Sequence, residues 1–114
     1  MCATPPFSQS LRMIVDTGAS RTSISTKDAR TIGLDYSTLT QDDDSVGIGG
    51  HIETYLLKGV SLIFEDTRSS YHVERLPTII AMRGADDAVP SLLGVDVLRK
   101  YRVFFDRKGV ILER

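Results

Sequence analysis

The chain has 114 residues, 41% hydrophobic and 25% charged, which is enough for one domain with its own core and too short for two ordinary ones. Fourteen Lys and Arg against fifteen Asp and Glu leave a net charge of -1, which excludes the strong basic field that draws nucleic acid or anionic lipid. A single cysteine, Cys2, excludes an internal disulfide, and Cys2, His51 and His72 together are too few for a zinc cluster.

Residues 1–10, with Pro5-Pro6 and Ser8-Gln9-Ser10, read as an irregular lead-in, and 11–114 as the domain. The lead-in has neither the basic start nor the apolar middle of a secretion signal. Leu11, Met13, Ile14 and Val15 predict an apolar strand that stops at the small, polar turn Asp16-Thr17-Gly18-Ala19-Ser20. Thr22 and Ile24 mark a second short strand. Ser25 or Thr26 then caps a brief helix running to Ile32, with Asp28 in its first turn and Gly33 placed to end it. The acidic run Asp42-Asp43-Asp44 reads as a solvated face that would favour basic peptides. Val46-Gly47-Ile48-Gly49-Gly50, followed by alternating Ile52, Thr54 and Leu56, predicts a hairpin with a flexible tip. Residues 60–64 and 76–82 are further strands, rich in β-branched and aliphatic side chains.

Residues 84–87 form a loop, and Pro90-Ser91 leads into Leu92-Leu93-Gly94. Val95, Leu98 and Tyr101 have helical spacing, so residues 95–101 are a helix with one face in the core. Val103-Phe104-Phe105 and Val110-Ile111-Leu112 flank Asp106-Arg107-Lys108-Gly109, a terminal hairpin. Many short strands with one or two short helices define a mainly-β class. No apolar run approaches the ~18 residues of a membrane span, and the expectation is a soluble chain of a reducing, cytoplasmic compartment.

The chemistry concentrates at the first turn. A strand ending in Asp-Thr-Gly places the Asp16 carboxylate at the edge of a core. Gly18 has no Cβ, so an extended peptide can come close, and Thr17 offers a hydroxyl to tie the turn to a neighbouring backbone. Two such carboxylates sharing one proton make an acid and a base side by side, because like charges that close cannot both ionise.

The segment Met13-Ile14-Val15-Asp16-Thr17-Gly18-Ala19-Ser20 resembles the catalytic segment of retroviral-type (retropepsin-like) aspartic proteases. Val46-Gly47-Ile48-Gly49-Gly50 resembles their flap, and Pro90-Ser91-Leu92-Leu93-Gly94 with the helix after it resembles their hydrophobic-hydrophobic-Gly segment. The likeness spans residues 11–112. It implies a retropepsin-like closed β-barrel, the acid protease fold, in a single lobe. Asp96 follows Gly94-Val95 without the Thr-Gly of a second catalytic loop, so the resemblance implies a homodimer in which Asp16 meets Asp16 of the partner subunit. No metal or cofactor is needed: one carboxylate deprotonates a water and the other donates to the scissile carbonyl of a peptide or protein substrate.

The resemblance also assigns roles. Thr17 would cross-brace the two loops, and Ala19 and Ser20 would complete them. Gly18 would offer its carbonyl to the substrate and Ile48, Gly49 and Gly50 would clamp it. Val89, Pro90 and Leu92 would wall apolar pockets, with Ile32 and Ile52 as weaker candidates. Ala19 lacks the hydroxyl that Ser or Thr supplies in many relatives to favour an ionised carboxylate, which predicts activity at weakly acidic to near-neutral pH. Two positions depart from the pattern. Val95 stands where the family often has Arg or another polar residue, and the short lead-in leaves dimerisation to residues 103–112 or makes the chain a domain of a longer polypeptide. A different class keeps the fold without the chemistry: a peptide-binding or dimerisation module with a vestigial aspartate loop.

Overall fold

A computed structural model describes residues 10–42 and 52–114. The lead-in at 1–9 and the flap-like residues 46–50 lie outside the described residues. Strand β1 (Met13–Val15) is followed by β2 (Ser23–Ile24), helix α1 (Thr26–Thr31), a 3-10 turn at Tyr36–Thr38 and β3 (Thr40–Gln41). Two long strands follow, β4 (Glu53–Glu65) and β5 (Tyr71–Arg83), and then β6 (Ser91–Leu93), helix α2 (Val95–Leu98), β7 (Arg102–Asp106) and β8 (Gly109–Glu113). Six strands form one sheet in the order β1-β6-β2-β5-β4-β3, and β7 pairs with β8 as a separate two-stranded sheet. The class is mainly β with two short helices, as the sequence predicts.

Local chemistry accounts for α1. Ser25 is extended and its Oγ accepts the Asp28 N–H at 3.1 Å, which satisfies one of the orphan donors of the first turn. At the other end Gly33 adopts φ +72, while its N–H reaches the Arg30 carbonyl at 3.1 Å and the Leu34 N–H reaches that of Ala29 at 2.9 Å. A left-handed glycine closing the last carbonyls is a common helix stop. Ala29 is fully buried beneath the helix, and the 3-10 turn that follows is pinned by the Tyr36 hydroxyl donating to the Met82 carbonyl.

The longest departure from the sequence reading is the β4–β5 hairpin. The segments read around Ile52-to-Leu56 and over 60–64 lie, from Glu53 onward, in one continuous strand paired antiparallel from Glu53↔Arg83 to Glu65↔Tyr71. The strand expected at 76–82 starts at Tyr71, five residues earlier. Gly59, at φ +68, lies opposite Pro77 in this register. Across that point the buried positions of β5 switch from Glu74 and Leu76 to Ile79 and Ala81, so the strand changes the face it turns inward. Glycine tolerates the left-handed backbone and proline forgoes an N–H, a pairing that bends a ladder without breaking it.

The core gathers Ile24, Ile32, Leu76, Ile79, Leu93, Val97 and Leu98 with Ala29, and Val15, Leu57, Tyr101, Val103 and Leu112 pack against it. Helix α2 is shorter than the expected 95–101, though turn bonds from Lys100 N–H to Val97 and from Tyr101 N–H to Leu98, both 3.0 Å, carry the coil onward. The terminal hairpin forms where predicted. Its turn is held by Asp106 Oδ1, which accepts the Lys108 and Gly109 N–H groups at 2.7 and 3.1 Å. Among the described residues no helix is long and apolar enough to cross a membrane.

Candidate active site

Asp16 leaves β1 still in register with β6. The parallel pairs Ile14↔Leu92 and Val15↔Leu93 are followed by the Asp16 N–H donating to the Leu93 carbonyl at 3.0 Å. Side-chain alternation therefore sets Asp16 on the sheet face that carries Ile14 and Leu92, opposite the buried Leu93. Asp16 itself is half-buried, while Thr17 and Gly18 after it are exposed.

The loop that follows turns back on its own acid. The Gly18 N–H donates to Asp16 Oδ1 at 2.8 Å, and the Ala19 N–H donates to the Asp16 carbonyl at 3.2 Å. A Cβ on Gly18 would lie 3.2 Å from that same carboxylate oxygen, tight enough to push the side chain. Glycine here both supplies the donor and clears the carboxylate.

A second glycine braces the loop from behind. A Cβ added to Gly94 would lie 2.5 Å from the Arg21 carbonyl carbon, 2.7 Å from its oxygen and 2.9 Å from the Ala19 oxygen. The two backbones touch. The Val95 N–H donates to the Ala19 carbonyl at 2.8 Å, and the Gly94 N–H to Thr22 Oγ1 at 3.1 Å. Thr22 in turn donates its N–H to Asp96 Oδ2 at 2.9 Å and its hydroxyl to Asp96 Oδ1 at 2.7 Å. Its carbonyl accepts the Ile80 N–H at 3.0 Å, so the fully buried Thr22 links the loop, α2 and β5. The sequence reading used Asp96 only as a missing second motif; no local pattern joins it to a threonine 74 positions away.

The expected pocket residues divide. Val89, Pro90 and Leu92 are half-buried on the segment that enters β6, and Leu92 shares the face of Asp16. That segment is tethered to α1: Ala85 N–H to Thr26 Oγ1 at 2.9 Å, Arg30 Nη2 to Asp87 Oδ1 at 3.0 Å, and Ser91 Oγ donating to Asp28 Oδ2 at 2.5 Å. Ile32 sits within the core cluster rather than on a cleft, and Ile52 is half-buried just before β4. Ile48, Gly49 and Gly50 lie outside the described residues. Ser20 is exposed and Ala19 half-buried. Ser23, paired with Leu92, carries a buried hydroxyl with no hydrogen-bond partner among the described residues, which nothing in the sequence signals.

A half-buried acid thus ends a strand, with a glycine loop folded onto it and a glycine-led helix packed behind. A family model described as Aspartyl protease matches residues 7–97, and the chain belongs to that family. Among solved structures, the chain is similar to a retropepsin-like aspartic protease from Rickettsia conorii, with 23% identity, a TM-score of 0.61, and 90% of this chain and 72% of that one covered. It is also similar to the retroviral protease-like domain of Ddi1 from Leishmania major, with 18% identity, a TM-score of 0.54, and coverage of 91% and 85%. At these identities the likeness establishes the retropepsin fold. No curated protein matches in sequence.

Proposed function

We propose that the chain is an aspartic endopeptidase that cuts peptide bonds as a homodimer, each subunit contributing Asp16. The observation that carries this reading is the placement of Asp16: a carboxylate set by the β1–β6 ladder, accepting the Gly18 N–H, on a loop braced by Gly94. One such loop per chain supplies half of a dyad. Two-fold symmetry supplies the other half.

In the proposed reaction an ionised Asp16 takes a proton from a water as the water oxygen bonds to the scissile carbonyl carbon, while the protonated Asp16 of the partner subunit gives its proton to the carbonyl oxygen. Collapse of the resulting diol breaks the C–N bond: the protonated Asp16 gives its proton to the leaving nitrogen while one diol hydroxyl gives its own to the ionised carboxylate of the partner subunit, so the pair is left sharing one proton again. Thr17 would brace the paired loops, with Ala19 and Ser20 completing each turn. Gly18, Ile48, Gly49 and Gly50 would hold the substrate backbone. Val89, Pro90 and Leu92 would receive apolar side chains.

Dimerisation is supported by the terminal hairpin. Its cross-strand pairs Phe104↔Ile111 and Phe105↔Val110 are all exposed apolar side chains on one two-stranded ribbon. Such a concentration on a small protein marks an interaction surface. The test is cleavage of a denatured protein across weakly acidic pH by the wild type and by Asp16→Asn, with sedimentation to follow assembly. Cleavage that is second-order in chain at low concentration and lost in Asp16→Asn is expected. A pure, dimeric wild type that cuts nothing would leave a peptide-binding module.

A further inference from the structure

An open groove of about 410 Å³ lies beside the loop just described, and four of its nine lining residues are cations: Arg21, Arg75, Arg99 and Lys100. They come from three separate segments, the end of the catalytic loop, strand β5 and the coil after α2. The one acid in the lining, Asp96, already accepts the Thr22 N–H and hydroxyl and the Val97 N–H. Leu76 and Pro77 supply an apolar floor. In a chain of net charge -1 this gathering of positive charge is a local feature, not an overall bias.

The cations are only partly satisfied. Lys100 Nζ stands 3.2 Å from Glu74 Oε2, and Arg21 Nη1 stands 3.8 Å from Asp42 Oδ2. Arg75 and Arg99 are exposed and make no ion pair among the described residues. Alternation on β5 explains the split: Glu74 turns inward and Arg75 outward, so the acid next in sequence cannot neutralise it. Three of the four cations are guanidinium groups, whose planar forks take carboxylates two bonds at a time. Like charges held around one groove repel, and an anionic occupant relieves that repulsion.

We propose that this groove binds acidic side chains, Asp or Glu, of the peptides the protein engages, outside the cleft that holds the scissile bond. The inference rests on the proposed peptide-cleaving function for its choice of a peptide over a small anion. Arg21, five positions beyond Asp16 in the same loop, joins the two regions, so a chain leaving the cleft on this side meets the positive groove. It assigns a preference opposite to the basic one suggested by the Asp42-Asp43-Asp44 run.

The test uses the Asp16→Asn chain, so that binding is read without cleavage. Fluorescence anisotropy compares a Glu-rich peptide with its Gln and Lys counterparts of the same length. The Glu peptide is expected to bind about tenfold more tightly than the Gln peptide, with the advantage shrinking as salt rises. Arg75→Gln with Arg99→Gln should remove most of that advantage at an unchanged melting temperature. Equal binding of the three peptides, a Lys preference, or an advantage that survives the double variant overturns the proposal. So does displacement of the Glu peptide by inorganic phosphate at matched ionic strength, which would assign the groove to a small anion. Because none of these readouts needs turnover, failure of the wild type to cleave would sink the proteolytic reading separately.

Discussion

Asp96 accepts both the N–H and the hydroxyl of Thr22, at 2.9 and 2.7 Å, across 74 positions of sequence. One carboxylate thereby fastens α2 to the exit of the Asp16 loop, and the same threonine oxygen accepts the Gly94 N–H at 3.1 Å. Replacing Asp96 by Ala strands two donors of the buried Thr22 and should cost about 2–4 kcal/mol in denaturant unfolding. Asp96→Asn keeps one acceptor and should recover roughly half of that loss. Equal stability of the two variants would show that the pair does not brace the loop.

Gly94 tolerates no side chain. The backbone atoms nearest to where a Cβ would stand, 2.5 to 2.9 Å away, belong to Arg21 and Ala19 and cannot swing aside. Gly94→Ala should lose about 3 kcal/mol or more, since the backbones must part. Any folded fraction should cleave poorly, because the displaced segment carries Asp16. Wild-type melting and activity in this variant would contradict the close packing.

Glu74 is a buried acid that holds the end of the chain. Its oxygens accept from the Tyr101 hydroxyl at 2.6 Å and Lys100 Nζ at 3.2 Å, and pair with Arg114 Nη1 at 3.0 Å. The Tyr101 hydrogen bond, then the Lys100 bond and the two positive charges, hold the carboxyl below its ordinary value of 4.5 against the opposing effect of burial. The folded form therefore binds fewer protons than the unfolded one, and the stabilisation is present above pH 4.5 and lost as pH falls below it. Burial and the same bond push Tyr101 up to about 12 from 10.0, so its contribution is present below pH 10 and lost as pH rises toward 12. Glu74→Gln should flatten both limbs of the melting temperature against pH and cost about 1–3 kcal/mol at neutrality. Unchanged limbs would mean that other groups set them.

Ser23 predicts a gain. Its hydroxyl is buried beside Leu92 without a partner among the described residues, an arrangement that costs stability for no bond made. Ser23→Ala should stabilise the chain by about 1 kcal/mol, read as a higher denaturant midpoint at an unchanged slope. A loss would mean that the hydroxyl has a partner in solution.

What the sequence discloses about this molecule is what is local. The Asp16 turn, the Ser25-to-Gly33 helix and the Asp106-to-Gly109 hairpin each carry their signals within a few residues, and each forms where expected. The continuity of β4 was hidden because Gly59 is a strand breaker by propensity, and only its placement opposite Pro77, already inside a strand read from the sequence, makes the two compatible. The start of β5 at Tyr71 was concealed for a different reason: its inward position is the charged Glu74, so the stretch Tyr71-His72-Val73-Glu74-Arg75 lacks an apolar face. The Thr22–Asp96 brace, the Glu74 cluster and the basic groove all join residues far apart in the chain, where spacing is silent.

The turnover of β5 at Pro77 has a dynamic consequence. Beyond it the ribbon from Val60 and Leu76 outward ends in exposed Ile63, Tyr71 and Val73, whereas inside it Ile79 and Ala81 have no surface at all. Amide protons at the tip of the hairpin, beyond the buried Glu74, should therefore exchange through a local opening that leaves those at Ile79 and Ala81 protected. The long ribbon can breathe at its far end without disturbing the part of β5 that pairs with β2.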